Sequence, residues 1–333
     1  MVETSNEVPY VVDSDTLRRF DQRRTVFGRR LGDPEAPFYR QHPHEGAVIK
    51  IMADEPGYSH LDYARSVAAW TVAEHFHGAY AWDRLGDEDP VLRRFGQYPV
   101  TDRDAMCYEI KQTARLYGAS LVGVCELDRR WVYASDMRGN PIEIPAAYRH
   151  AIVIAVAMDV PAIKTAPAYP ASAATGVGYS RMAFLASSLA QFIRHLGYRA
   201  IAMGNDTALS IPLAIDAGLG ELGRNGLLIT PEYGSCVRLC KVFTDLPLVS
   251  DKPKGFGLGE ICRRCRVCAE MCEVGAISSA PAPSFAVTCP SNNVGIQRWA
   301  VNHDRCYTFW LENGSGCSTC IAACPFTGRR GAV

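Results

Sequence analysis

Nine of the 13 cysteines of this 333-residue chain lie between Cys262 and Cys324, and their spacing limits what the C-terminal part can fold around. The first run, C-x-x-C-x-x-C-x-x-x-C, begins at Cys262, and the second, C-x-x-C-x-x-x-C-P, begins at Cys317. Such runs are typical of loops that wrap 4Fe–4S clusters through thiolates. Because the chain is too long to need disulfide staples, their density also indicates metal ligation in a reducing compartment.

With Cys306 between them, the two runs supply eight thiolates, the number that two cubane clusters require. The last cysteine of each run ligates the other cluster in two-cluster ferredoxins, so the spacing predicts two ligand sets. The first set is Cys262, Cys265, Cys268 and Cys324, and the second set is Cys272, Cys306, Cys317 and Cys320. Two zinc sites of four thiolates each are the alternative, but the uninterrupted spacing and the Cys-Pro ending favour iron–sulfur.

Composition narrows the class of protein further. The 35 basic and 35 acidic side chains balance, which argues against binding to nucleic acid or to a membrane surface. No run of about 18 apolar residues occurs, so we expect no membrane span. Arginine pairs near the N-terminus, such as Arg29-Arg30, precede a polar, proline-broken stretch. We therefore predict no export signal and a cytoplasmic protein.

Three regions follow from the pattern along the chain, and together they predict an α+β fold. Residues 1–103 are irregular and are predicted to form an arm that wraps the rest, with a helix over Leu61–His77. Residues 104–250 alternate helical and apolar extended stretches and are predicted to form a sheet domain with helical crossovers, which we call the core. Residues 251–333, which begin with a glycine- and proline-rich linker, are predicted to form a ferredoxin-like module with two 4Fe–4S clusters.

Within the core, apolar residues spaced three or four apart predict a helix over Tyr179–Leu196, with Tyr179 at its start. The apolar run at 151–160 predicts a central strand, and 237–245 predicts another. Arg238 and Lys241 would point to opposite faces of that strand, so only one of these cations can face a given site. No Gly-x-Gly-x-x-Gly motif joins a strand to a helix, so dinucleotide binding is not supported.

The segment 178–248, which begins GYSRMAFLASSLAQFIRHLGYRAIAMGND, resembles the corrinoid-dependent reductive dehalogenases. WAVNHDRCYTFW (299–310) and FDQRRTVFGRRLGDPEAPFY (20–39) resemble the same family. The resemblance implies a cobalamin held base-off in a degenerate nitroreductase-like core. It also implies two 4Fe–4S clusters fed by an external donor such as ferredoxin or flavodoxin. The implied reaction removes halide from a small organohalide by two-electron, one-proton reduction.

The same resemblance assigns roles to individual residues. Tyr179 is the implied proton donor, and a cation beside a phenol favours loss of its proton. Arg238 is the expected cation, which would also hold the halide, and Lys241 is the competitor. The implied substrate-pocket residues are Thr175, Asn205 and Trp310, although Trp310 beside Cys306 is equally suited to shielding a cluster from water. The implied cofactor-binding residues are Asn205, Arg224, Asn225, Gly226 and Leu227. The plainer role of the glycines in GLGELGRNG (218–226) is to form tight turns.

Two other functions stay open at this point. An epoxyqueuosine reductase would also combine a corrinoid with two clusters, but such enzymes usually have an acidic proton donor and basic regions that bind transfer RNA. A non-enzymatic electron carrier or corrinoid-handling protein would hold clusters, and even a corrinoid, without releasing halide. The balanced charge and Tyr179 disfavour the first, and some 250 residues before the clusters disfavour the second.

Overall fold

The computed structural model describes residues 8–41, 43–53, 55–59 and 96–328, so the helix expected over 61–77 lies outside the described residues. The described part of the arm contains a 3-10 turn (Gln22–Arg24), helix α1 (Val26–Gly32) and helix α2 (Pro43–Met52). The buried Arg29 guanidinium at the end of α1 forms ion pairs with Asp33 and with Asp304 of the cysteine module. This arginine therefore ties the arm to the C-terminal module.

A four-stranded antiparallel sheet forms the centre of the core, in the order β1-β2-β6-β3. Its strands are β1 (Leu121–Glu126), β2 (His150–Ala157), β3 (Ala200–Met203) and β6 (Val237–Thr244), and a separate hairpin pairs β4 (Glu221–Leu222) with β5 (Leu228–Ile229). The strands predicted at 151–160 and 237–245 are confirmed as β2 and β6, which lie next to each other in the middle of the sheet.

Helices cover both faces of this sheet, which explains why β2 reads as a continuous apolar run. They are α3 (Arg103–Leu116), α5 (Tyr169–His195) and α6 (Ser210–Asp216), whereas the short α4 (Val160–Ile163) packs against α5. Ile110 of α3 and Leu189 of α5 pack against Ile152 on one face of the sheet. Leu213 of α6 packs with Val153 on the other face. Alternate residues of β2 are therefore buried in two separate apolar clusters.

Helix α5 begins ten residues earlier than predicted, at Tyr169, so Tyr179 lies inside the helix and not at its start. The stretch before Tyr179 is rich in alanine and glycine, and its glycines disguised the helix because glycine disfavours helical backbone. Pro170 occupies the first turn, where its missing N–H costs nothing. No helix in the described part of the chain combines the length and apolar character needed to cross a bilayer.

The C-terminal module packs directly on the core. Its helices are α7 (Leu258–Arg264), α8 (Val267–Glu270), α9 (His303–Asn313) and α10 (Thr319–Ala322). The predicted linker before α7 is fixed, because the buried Glu221 carboxylate accepts hydrogen bonds from the backbone N–H groups of Phe256 and Leu258. At the other side, the Asn313 side chain donates to the Pro167 carbonyl just before α5.

Arg224, in the turn between β4 and β5, also ties the core to the module. Its side chain is buried, and its guanidinium donates to the backbone carbonyls of Cys262, Cys265, Ser278 and Ala280. The guanidinium also lies 4.5 Å from the centroid of the Trp299 ring. A single core side chain thus holds both ends of the segment 262–280, which carries the first run of cysteines and which we call the first cysteine loop.

We expect Arg224→Met to destabilise the protein by on the order of 3 kcal/mol, because it leaves several buried carbonyls without donors. The melting temperature and the iron content of the reconstituted protein should both fall. Arg263→Met is the matched control, since Arg263 is exposed in the same module. An Arg224→Met protein that keeps both values would show that the guanidinium does not hold the first cysteine loop.

Candidate active site

The side chains of Tyr179, Asn205 and Arg238 meet at one end of the core sheet. Tyr179 lies on α5, Asn205 in the loop after β3, and Arg238 near the start of β6. The Asn205 Nδ2 atom donates a hydrogen bond of 2.7 Å to the Tyr179 hydroxyl. The Arg238 guanidinium carbon lies 5.4 Å from the centroid of the Tyr179 ring. We call these three side chains the tyrosine face; Tyr179 and Arg238 are half-buried and Asn205 is exposed.

Close packing and a sulfur atom hold Arg238 against α5. A Cβ at Gly178 would lie 2.8 Å from Arg238 Cγ, so glycine is what lets the helix come this close to β6. Arg238 Nε lies 3.2 Å from Met158 Sδ, and the Thr175 hydroxyl oxygen lies 3.9 Å from the same sulfur. Met158 therefore joins Thr175 to the tyrosine face. Sequence reasoning missed Met158, because a methionine after an apolar strand looks like any core residue.

Lys241 supports the loop that carries Asn205. Its side chain is fully buried, and its Nζ atom donates to the carbonyls of Gly204, at 2.6 Å, and Asp206, at 3.1 Å. Burial lowers the pKa of Lys241 to about 8, and the nearby Asp206 opposes this shift. The expected opposite orientation of Arg238 and Lys241 thus separates one cation at the phenol from one behind the loop.

The thiols of the first predicted ligand set lie together. Burial and the neighbouring thiols of Cys262, Cys324 and Cys265 raise the pKa of Cys268 to about 12. The same four cysteines line one small cavity between α7 and the β4–β5 turn. Iron takes up such groups as thiolates, so loading the module would release protons.

The thiols of the second set also have one another as neighbours. Burial, with Cys317 and Cys272 nearby, raises the pKa of Cys306 to about 12. The thiols near Cys320 are those of Cys306, Cys317, Cys272 and also Cys268 of the first set. The neighbours fall into the two groups that the spacing predicts, and the ligand assignment itself stays a prediction. Among the described residues, no three His, Cys, Asp or Glu side chains converge on a single metal ion.

Hydrogen bonds reach individual thiols in both groups. A hydrogen bond from the Ser235 hydroxyl, buried just before β6, lowers the pKa of Cys324, although burial outweighs it. In the second group, Cys317 Sγ lies 3.1 Å from Thr319 Oγ1. Hydrogen bonds to the sulfur ligands are one of the factors that set the potential of a cluster. Neither Ser235 nor Thr319 was singled out from the sequence, because a hydroxyl residue near a cysteine has no distinctive spacing.

Trp310 lies beside Cys306 of the second thiol group. Its side chain hydrogen-bonds to the Cys306 thiol, which lowers the pKa of that thiol while burial raises it. The Trp310 ring packs at 5.9 Å from Tyr307 and 6.4 Å from Phe27 of α1, measured between centroids. These contacts fit shielding of the second thiol group, and the role of Trp310 as a pocket wall stays a prediction.

Four of the five residues expected to bind the cofactor, those at 224–227, lie in the β4–β5 turn, and the fifth, Asn205, belongs to the tyrosine face. The donors of Arg224 are engaged by carbonyls of the module, so its side chain supports the first cysteine loop. The Asn225 side chain accepts a hydrogen bond from the Leu227 N–H, and Gly226 has a φ of +73°, which suits glycine. The turn is thus explained by its own packing, and its contact with a cofactor stays a prediction.

The tyrosine face and the second thiol group adjoin each other. Met158, which touches Arg238, packs in one apolar cluster with Cys236 and with Ile321 of α10, and Cys320 packs against this cluster. Grouped thiols of this kind serve electron transfer when they hold clusters. A phenol hydroxyl that can donate a proton, placed beside such a module, is typical of an iron–sulfur oxidoreductase.

Comparison with known proteins makes the class specific. The family of reductive dehalogenase subunits matches residues 131–248, and the 4Fe-4S dicluster domain matches residues 261–327. Tetrachloroethene reductive dehalogenases of Desulfitobacterium hafniense and Sulfurospirillum multivorans are 32% and 38% identical to this chain. The alignments cover 92% and 95% of this chain and 69% and 74% of those proteins. The chain belongs to the reductive dehalogenase family, and its C-terminal module is a 4Fe-4S dicluster domain.

A solved structure shows the same fold. The catabolic reductive dehalogenase NpRdhA superimposes with a TM-score of 0.75 at 23% identity, over 97% of this chain. This chain spans 44% of the length of that relative. An epoxyqueuosine reductase of Listeria monocytogenes is 31% identical over 121 residues, which cover 35% of this chain and 29% of that protein.

We expect the contribution of Lys241 to stability to depend on pH. Its pKa is about 8 in the folded protein and 10.5 ordinarily, so between these values the unfolded chain binds more protons and stability rises with pH. The melting temperature of the wild type relative to Lys241→Met should therefore increase from pH 8 to pH 10. Lys164→Met, at an exposed position, is the control. A wild-type advantage over Lys241→Met that stays constant across this range would contradict the buried-ammonium assignment.

Ser235→Ala and Thr319→Val should each lower the potential of one cluster only. Removing one hydrogen bond from a sulfur ligand costs the reduced cluster on the order of 1 kcal/mol, or roughly 50 mV for one electron. We expect Ser235→Ala to move the first cluster and Thr319→Val the second. A redox titration followed by electron paramagnetic resonance measures both, and each variant serves as the control for the other. Equal shifts of both clusters in one variant would contradict separate tuning.

Proposed function

We propose that this chain removes halide from a small organohalide at a cobalamin, with electrons relayed by two 4Fe–4S clusters. The observation that carries the proposal is the tyrosine face, joined through Met158 to the second thiol group. Family membership supports the reaction class. Tetrachloroethene, which the curated relatives are named for, is the first substrate to test.

The reaction consumes two electrons and one proton, so R–X becomes R–H and X⁻. Bound in its reduced form, cobalamin supplies a strongly reducing cobalt. The side chains present fit such a group, because the partly exposed tyrosine face offers a phenol, an amide and a guanidinium beside grouped thiols. The protein must therefore deliver the proton, accept the halide and lead electrons in one at a time.

Tyr179 is the proposed proton donor, acting through its hydroxyl hydrogen. The Asn205 amide donates to the hydroxyl oxygen, and this hydrogen bond becomes stronger when the oxygen carries a negative charge after proton transfer. Lys241 holds the Gly204 and Asp206 carbonyls on either side of Asn205 and so fixes the amide in position. Lys241 is thus a positioning residue in this proposal.

Arg238 is the proposed partner of both the phenolate and the leaving halide. Its guanidinium lies over the Tyr179 ring and stays charged when partly buried. Its Nε atom is directed to Met158, and its remaining N–H groups are suited to an anion formed beside Tyr179. A fixed cation at the point where negative charge develops lowers the barrier without reorganisation.

Electrons are proposed to enter from an external carrier such as ferredoxin or flavodoxin and to pass through the two clusters in series. The second group of thiols is the one nearer to the tyrosine face in this proposal, because Cys320 packs against the group of apolar side chains that contains Met158. The proximity of Cys268 and Cys320 gives the two clusters a short path between them. Trp310 keeps water from the second cluster through its contact with Cys306.

The finer features of the fold and the cell location also belong to this proposal. We propose that the core (104–250) is a degenerate nitroreductase-like domain that binds cobalamin through Asn205 and the turn 224–227. In this scheme 1–103 is a wrapping arm, and 251–333 is the two-cluster module. Thr175, through Met158, would border the substrate, and the protein would work in the cytoplasm.

The epoxyqueuosine reductase alternative would require an acidic proton donor at the candidate site, because such enzymes usually have one. Asp206 is the acid in the loop that carries Asn205, and its carboxylate oxygens accept hydrogen bonds from the Gly204 N–H and the Thr207 hydroxyl. The carboxylate therefore shapes the loop. A non-enzymatic carrier is disfavoured by the tyrosine face, which electron transfer alone does not require.

The function is tested on anaerobically purified protein loaded with iron, sulfide and cobalamin. We expect halide release from tetrachloroethene or a bromophenol under a low-potential reductant, and paramagnetic resonance signals of base-off cobalt(II) and two 4Fe–4S clusters. Tyr179→Phe should lower the rate by about 100-fold or more, because general acid catalysis typically contributes that much.

Tyr108→Phe is the matched control, since Tyr108 is an exposed tyrosine on α3. It should leave the rate unchanged, and both variants should retain their cluster and cobalamin signals. Full activity of Tyr179→Phe would remove the proposed proton donor. Absence of halide release from a panel of organohalides by the fully loaded wild type would favour the carrier instead.

A further inference from the structure

A cavity of about 440 Å³ lies at the end of the core sheet opposite to the tyrosine face. It is lined by the end of β1, the start of β2, the first residue of α3 and the segment after β6. In the register of the sheet, His150 pairs with Thr244, whereas Val156 pairs with Arg238. Six residues of strand separate these levels, or about 20 Å, so the cavity is separate from the Tyr179 site.

Positive charge dominates this cavity. Three guanidinium groups line it, those of Arg103, Arg129 and Arg149, against the single carboxylate of Glu126. Within the described part of the chain, none of the three forms an ion pair with an acidic side chain. Arg129 is fixed by hydrogen bonds to the carbonyls of residues 144, 145 and 148. The net charge of the lining is thus +2 with His150 neutral, because three positive groups oppose one negative group.

Two buried polar atoms in the lining lack a hydrogen-bond partner among the described residues. They are His150 Nδ1 and Ser250 Oγ. Burial lowers the pKa of His150, and Arg103 and Arg149 lower it too, against an opposing effect of Glu126. Both atoms are closed to solvent in this structure, so each reaches the cavity only when its side chain rotates. After such a rotation a neutral imidazole and a hydroxyl can each donate one hydrogen bond to a bound ligand, which would supply the partner that they lack.

We propose that this cavity binds the phosphate group of a small phosphorylated molecule. A phosphate monoester carries a charge of about −1.5 to −2, which matches the excess charge of the lining. Its oxygens accept more hydrogen bonds than a carboxylate can, and guanidinium groups bind them in bidentate fashion. The apolar side chains of Leu127, Tyr148 and Leu248 form the rest of the wall, where the organic part of the ligand would pack.

The test is calorimetric titration of the cluster- and cobalamin-loaded protein with inorganic phosphate and with phenyl phosphate, at constant ionic strength. We expect saturable binding of both, tighter for phenyl phosphate because its ring packs on Tyr148 and Leu248. Arg149→Gln should weaken binding about tenfold or more, since it removes a charge-assisted hydrogen bond to the phosphate. Ser250→Ala should weaken it by a smaller factor, with no change in the far-ultraviolet circular dichroism spectrum.

Arg115→Gln is the matched control, because Arg115 is exposed at the other end of α3 from Arg103. It should bind both probes like the wild type. No saturable binding, or equal weakening by Arg115→Gln and Arg149→Gln, would overturn the proposal. Binding that appears only when cobalamin is left out would also overturn it, because the cavity would then belong to the phosphodiester of the cofactor. None of these outcomes depends on halide release.

Discussion

The alternation of side chains along β6 is the constraint on which the candidate site depends. Arg238 lies on the face covered by α5, where Gly178 lets the helix approach the arginine stem, and Lys241 lies on the opposite face. The strand therefore gives two cations two tasks. One guanidinium is set against the phenol, and one buried ammonium holds the loop that presents Asn205 to it. A shift of β6 by one residue would exchange these environments and dismantle the site.

The cysteine module depends on the core as much as the core depends on the module. Arg224 satisfies carbonyls of the first cysteine loop, and Ser235 hydrogen-bonds to Cys324, so residues of the core support the first group of thiols. The second group is reached through Met158 and α10. Electron transfer needs cofactors held at fixed short distances, and this interlocking supplies them. A module on a flexible linker would not.

Most of the sheet and both thiol groups were predictable from the sequence, because period-two burial and cysteine spacing are local signals. The start of α5 was not, since Gly176 and Gly178 precede Tyr179, and Gly178 serves packing against Arg238 and not local helix propensity. Resemblance brought Tyr179, Asn205 and Arg238 forward, but their contacts required the fold. Met158 and Ser235 had no signal at all, because their importance comes from neighbours distant in the chain.

The total charge of the chain can be read from the sequence, but the positions of the charges in the fold cannot. The balanced sum of acidic and basic residues argues against a polyanionic partner such as nucleic acid, yet it says nothing about how charge is distributed. Folding places one ammonium in an apolar interior and gathers three guanidinium groups around a cavity with a single carboxylate. The buried ammonium costs free energy unless it is compensated, and three oxygen atoms of the 204–210 region compensate it. The three guanidinium groups are exposed and screened by solvent, so a bound anion would add to the screening that water already provides.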